Sequence, residues 1–144
     1  MKKILIAIDD SPIAEKLVST TIELYKQLHA EIALVSVVDT QFLTTDGGIT
    51  PGEMVNVMKN DFKKRHELLI SEILKGKKIW TFVEQGKPFE EILKVADEWE
   101  ADLIVLGTHG RTGLSHLLMG SVAEKVIRHS TKPLFVIPNK INSK

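Results

Sequence analysis

Three stretches of this chain are apolar without interruption: Ile4 to Ile8, Ile32 to Val38 except for Ser36, and Leu103 to Leu106. Each is rich in β-branched or branched residues, and each stops at an acid or a glycine: Asp9-Asp10, Asp39 and Gly107. A run with no polar alternation has no face to give to water. That is the pattern of a strand covered on both sides, as in parallel sheets. The intervening segments repeat apolar residues at helical spacing. Ile13, Leu17, Leu24 and Leu28 form one stripe, Met54, Met58, Phe62, Leu69 and Ile73 a second, and Phe89, Ile92, Leu93, Ala96 and Trp99 a third. Lys78 to Glu84 alternates and is more polar, which suits a sheet edge. Leu134 to Ile137, between Pro133 and Pro138, is a fifth strand. Strands alternating with helices predict an α/β fold, an open five-stranded parallel sheet with helices on both faces.

Local signals set the expected boundaries. Ser11-Pro12 reads as an N-cap and first helical residue. Ser121 with Glu124 reads as a capping box opening a helix that runs to about His129. Asp39 to Gly52, with its glycines, threonines and Pro51, reads as a loop. The 144 residues fit one domain, expected over residues 1–140, with a polar tail at 141–144 expected to fray.

Composition narrows the function. Lys+Arg and Asp+Glu are both 19, so the formal charge is zero. A protein driven onto nucleic acid or an anionic membrane by phosphate neutralisation needs a basic excess, so neither partner is expected. The absence of cysteine excludes disulfides, thiolate metal sites and cysteine nucleophiles. Lys2-Lys3 before a short apolar run is too brief for a signal peptide, and no stretch approaches a membrane span. A cytoplasmic protein is the expectation.

Parallel sheets bind ligands at the carboxyl ends of their strands, where the strand order reverses. The unusual loops fall at such ends. Four of the chain's nine glycines lie between Gly107 and Gly120, and Gly120-Ser121 stands before a helix. Glycine lets backbone N–H groups approach an anion, and a helix N-terminus favours phosphate. These residues suit a phosphate cradle or, equally in kind, a tight βα turn. The Walker A and Gly-x-Gly-x-x-Gly patterns are absent. Asp9 is either a nucleotide contact or a cap for the first helix, and Arg111 either a phosphate contact or a solvated side chain. His109 and His116 lack a third partner for a metal, so no protein-held metal is expected. A phosphoacceptor receiver domain would need an aspartate after strand three and a lysine after strand five. The chain has Glu84-Gln85-Gly86 at the first of these places, and its Lys132-Pro133 precedes strand five.

Gly107-x-x-Gly110, nine further residues, then Gly120-Ser121, together with Ile8-Asp9-Asp10-Ser11, Ala101 to Gly107 and Lys132 to Pro138, resemble the universal stress protein family in its ATP-binding subgroup. The likeness runs over residues 2–138. It implies the sheet order 3-2-1-4-5, a Rossmann-like arrangement shared with adenine nucleotide alpha hydrolases. It also implies bound ATP with Mg²⁺ on phosphate oxygens, and a regulatory role in stress. Carried over residue by residue, adenosine would meet Ala7, Ile8, Asp9 and Val38. The phosphates would meet Gly107, Gly110, Arg111, Gly120, Ser121 and Val122. Ala123 departs from the hydroxyl residue common there. The resemblance implies a homodimer as well, and strand 134–137 would be an uncharged apolar edge open to antiparallel pairing. With Asp9 at the adenosine end, no residue is marked as a catalytic base. The expectation is therefore a nucleotide held as a signal, the alternative a slow ATPase or a phosphoryl or nucleotidyl transferase.

Overall fold

The computed structural model describes residues 2–43, 47–109 and 119–138. Its strands are β1 (Lys3–Ala7), β2 (Glu31–Asp39), β3 (Ile79–Gly86), β4 (Leu103–Gly107) and β5 (Leu134–Ile137). Its helices are α1 (Ala14–Tyr25), α2 (Pro51–Glu72), α3 (Pro88–Trp99) and α4 (Ser121–His129). All neighbouring strands are parallel, in the order β3-β2-β1-β4-β5. None of the helices among the described residues is long and apolar enough to cross a membrane.

The uninterrupted strands are explained by two cores. Ile4, Ile6, Ile32, Leu34 and Val105 face one side, where Leu17 and Val18 of α1 and Leu69 of α2 cover them. Their sequence neighbours Leu5, Ala33, Val35, Ile104 and Leu106 face the other, under Ile92 and Val95 of α3 and Val126 of α4. Side chains alternate across a strand, so a strand between two helical layers must be apolar at every position. Only β3, at one edge, keeps a mixed exposed and half-buried pattern.

Three local expectations are corrected. The first helix begins at Ala14, not at Ser11-Pro12, and its N-cap is Ile13 with no side-chain cap. Its buried stripe is Ala14, Leu17, Val18 and Thr21, while Leu24 and Leu28 are 57% and 48% exposed. Helix α2 starts at Pro51 because Thr50 caps it, its hydroxyl accepting from the Glu53 N–H at 3.1 Å. The span read as a loop to Gly52 is thus shorter, and it holds a 3-10 turn at Thr40–Phe42. The capping box at Ser121 is not formed: the Glu124 N–H bonds to the Gly120 carbonyl, which makes Gly120 the N-cap. Glu124 turns instead to Arg128, 2.9 Å away one turn on. The tail expected to fray lies outside the described residues.

Candidate functional site

A cavity of about 560 Å³ opens at the carboxyl ends of β1, β2 and β4. That is the size range of small-ligand sites. The first core's layer contributes Ile13, the N-cap of α1, Leu17 of α1, and Met58 and Phe62 of α2. The opposite layer contributes Pro88 and Ile92 of α3 and the start of α4. The position follows from the strand order. The connection after β1 crosses one face and that after β4 the other, so β1 and β4 separate at their ends. Another concavity, between the end of α1 and the foot of β1, holds only about 40 Å³, too little for a nucleotide.

At the β1 end the chain turns sharply through Ile8, Asp9, Asp10 and Ser11. One Asp9 oxygen, Oδ1, accepts the Ser11 N–H at 2.9 Å, the local turn bond expected of an aspartate here. Arg65 of α2 reaches under the turn and donates from Nη2 to the Ser11 carbonyl at 2.7 Å. The Ile8 N–H bonds to the Val35 carbonyl at 2.9 Å. The Ile8 carbonyl accepts from the Ser36 hydroxyl at 2.8 Å, and the same hydroxyl lies 2.8 Å from His66 Nε2. The Ser36 hydrogen is committed to Ile8, so His66 carries its hydrogen on Nε2 and donates it to Ser36. His66 is 1% exposed, and its Nδ1 has no partner among the described residues. Burial, helped by the neighbouring Arg65 charge, lowers its pKa from 6.5 to about 4, so it is neutral near pH 7.

At the β4 end the Gly120 N–H donates to the Thr108 carbonyl at 2.7 Å, and the Thr108 N–H to the Ile137 carbonyl at 3.1 Å. These bonds fix the start of α4 beside β4. Gly120 has φ −74° and ψ 161°, a conformation open to any residue. The amides of Ser121, Val122 and Ala123 precede the first intrahelical bond of α4, and all three residues line the cavity. His109, whose Nδ1 is 3.0 Å from the Thr108 hydroxyl, lines it too. The cavity is therefore electrically polar. Asp9, Asp10 and Asp39 line the β1–β2 end, and the positive end of the α4 dipole lies at the other. Among the described residues no group of three or more acids and histidines is placed to hold a metal ion.

Of the residues singled out in the sequence, Ala7, Ile8, Asp9, Gly107, Gly120, Ser121 and Val122 line this cavity together. Val38 does not. Its side chain is fully buried against Val55 and Phe62, and Val37 stands at the cavity instead, as one-residue alternation requires. Gly110, Arg111 and His116 lie outside the described residues. The site also depends on Ser36, Val37, Arg65 and His66, and the sequence carries a signal for two of them. Ser36 is the single hydroxyl in an apolar strand. His66 completes the α2 stripe at the gap between Phe62 and Leu69.

The family model described as "Universal stress protein family" matches residues 1–138. Universal stress protein MJ0531 of Methanocaldococcus jannaschii is 33% identical, over 94% of this chain and 81% of that protein. The solved structure of MJ0577, from the same organism, superposes with a TM-score of 0.84 at 34% identity, covering 99% of this chain and 98% of the other. A universal stress protein from Archaeoglobus fulgidus, solved in complex with dAMP, has a TM-score of 0.65 over 95% of this chain and 98% of its own; at 23% identity it bears on the fold alone. Sequence and fold agree over nearly the whole length, and this chain belongs to the universal stress protein family.

Proposed function

We propose that the cavity holds an adenine nucleotide, ATP carried with Mg²⁺, as a bound signal in a stress-response regulatory protein. The observation that carries the reading is the polarity of the cavity, with acids and strand backbone at one end and, at the other, a helix N-terminus whose first amides precede its first intrahelical bond. Phosphates favour the α4 end, at Gly107, Gly120, Ser121 and Val122, and Gly110 and Arg111 are expected to join them. Ribose hydroxyls suit the Asp9 carboxylate as donors. With no protein cluster for a metal among the described residues, Mg²⁺ is expected on phosphate oxygens.

The base would lie over β1 and β2. The Glu31 N–H and the Val35 carbonyl both bond toward β1, so by alternation the N–H and carbonyl of Val37 point the same way. That pair offers one donor and one acceptor past the last β1 rung. Adenine presents the matching acceptor and amino donor on its edge, while guanine presents them reversed. The adenosine contact expected of Val38 is therefore assigned to Val37. Calorimetry with Mg-ATP and Mg-GTP up to millimolar concentration tests the reading: ATP should bind and GTP bind more weakly. No heat with ATP from folded protein overturns it.

The alternative of slow ATP turnover rests on His109 at the phosphate end, and a single-turnover assay with labelled ATP separates it from simple holding. A homodimer through β5 goes with the same reading, because Leu134–Ile137 is an apolar edge without internal charge or proline. A cytoplasmic setting, where ATP is available, goes with it too.

A further inference from the structure

The β1–β2 ladder stops one rung early. In a parallel pair, a residue that donates to one partner accepts from the residue two further along the partner strand. Ile8 donates to Val35, so its carbonyl should accept from the Val37 N–H. Among the described residues no backbone bond joins Val37 to Ile8; the Ser36 hydroxyl occupies the Ile8 carbonyl instead, at 2.8 Å. A serine one residue before the missing donor has thus replaced it. The hydroxyl is itself held by His66, whose Nε2 is 2.8 Å away on the buried face of α2. Ser36 is 1% exposed, and so is His66, so neither group has water as a substitute partner.

We propose that Ser36 and His66 form a positioning pair that ends the β1–β2 ladder at Ile8 and leaves the Val37 backbone turned into the cavity to read the base. Without the hydroxyl, the Ile8 carbonyl is a strong acceptor beside a strong donor, and the rung closes. With the hydroxyl in place, the Val37 donor remains available to a ligand. His66 does not touch the ligand. It acts through Ser36, keeping the hydroxyl's hydrogen aimed at Ile8 by filling its acceptor side. Arg65, one residue earlier on α2, holds the far end of the same turn at the Ser11 carbonyl. The cavity's β1 wall is thus gripped from α2 at two carbonyls, Ile8 through Ser36 and Ser11 directly.

This inference deepens the adenine-nucleotide reading, and its test is built so that the two fail separately. The first measurement is amide hydrogen exchange at Val37 in nucleotide-free protein. Ser36→Ala should slow Val37 exchange by at least about tenfold, because the freed Ile8 carbonyl takes up that N–H. Ser36→Ala leaves the His66 donor unpaired, so the Ser36→Ala/His66→Leu double variant, apolar at both positions, is measured beside it and should show the same slowing. The second measurement is Mg-ATP affinity. Both variants should bind about tenfold more weakly, the worth of one hydrogen bond. His66→Gln, whose amide can donate to Ser36, should retain most of the affinity, whereas His66→Leu alone should not.

Unchanged Val37 exchange in both serine variants overturns the pair's part in holding the rung open. Slowed exchange with undiminished affinity overturns its part in binding. A parent protein that takes no adenine nucleotide at millimolar concentration overturns the functional reading, while the exchange arm still decides the fate of the rung.

Discussion

Two side chains carry opposite tests of the cavity's β1 wall. Asp9 has one oxygen on the Ser11 N–H and stands at the cavity, so its turn-forming and ligand-binding roles separate by substitution. Asp9→Asn keeps an acceptor for the turn and removes the charge; Asp9→Ala removes both. Both should weaken nucleotide binding, by up to about 1.5–3 kcal/mol for the loss of a charged hydrogen bond, and only Asp9→Ala should also lower the melting temperature. Calorimetry beside thermal melts reads the difference. His66 gives a pH signature. Its pKa is about 4 in the fold against an ordinary 6.5, so the unfolded chain takes up the proton first as the pH falls. The stability it contributes is complete above pH 6.5, declines below that, and is lost through pH 4. The loss should reach about 2 kcal/mol by pH 5. Urea midpoints at pH 7 and pH 5 should therefore diverge more in the parent than in His66→Gln.

Among the elements, α3 ends on a residue that is not suited to its conformation. Glu100 sits at φ 62°, left-handed, while the Ala101 N–H bonds back to the Ala96 carbonyl at 2.8 Å. Glycine is the usual residue at such a C-cap, because a Cβ is strained there. Glu100→Gly should raise stability by up to about 1 kcal/mol, measured as a higher urea midpoint at unchanged slope. The elements also show what the sequence could reveal. The three interior strands β1, β2 and β4 were legible because a nearly unbroken apolar run leaves only one environment for them, and α3 because its apolar residues keep helical spacing. The start of α1 was misread because Ser11-Pro12 carries good local cap chemistry, yet the Asp9 turn and the Arg65 contact claim that backbone first. Leu24 and Leu28 fit a helical stripe by spacing but miss the buried one, since spacing alone does not fix which way the stripe faces. The glycines and Asp9 of the site were visible as residue types at strand ends. The Val37 register and the Ser36–His66 contact were not, because they depend on where one ladder stops.

For the whole molecule the two sheet edges differ in kind. Edge strand β3 is partly exposed and carries Glu84, and its Trp80 indole lies under the Lys78 ammonium at 4.7 Å. A strand edge with such polar cover is protected from pairing. Strand β5 has four residues, all apolar and half-buried or buried. A two-fold antiparallel pairing of β5 is the arrangement expected to cover them. Val136→Lys should shift the protein toward monomer at micromolar concentration, since like charges would meet near the axis. Sedimentation checks it; a parent species near 16.1 kDa removes the dimer. A different consequence follows from the bond between Gly120 and Thr108. It joins the Gly120 N–H to the Thr108 carbonyl at 2.7 Å, so the frame on either side of residues 110–118 is held together by its own bond. Exchanging residues 110–118 for a Gly-Ser stretch of equal length should leave the unfolding midpoint within a few degrees while removing phosphate affinity. A chain of this design would then keep its choice of base in the sheet and its grip on phosphate in a separately closed stretch, so that either can be altered without the other.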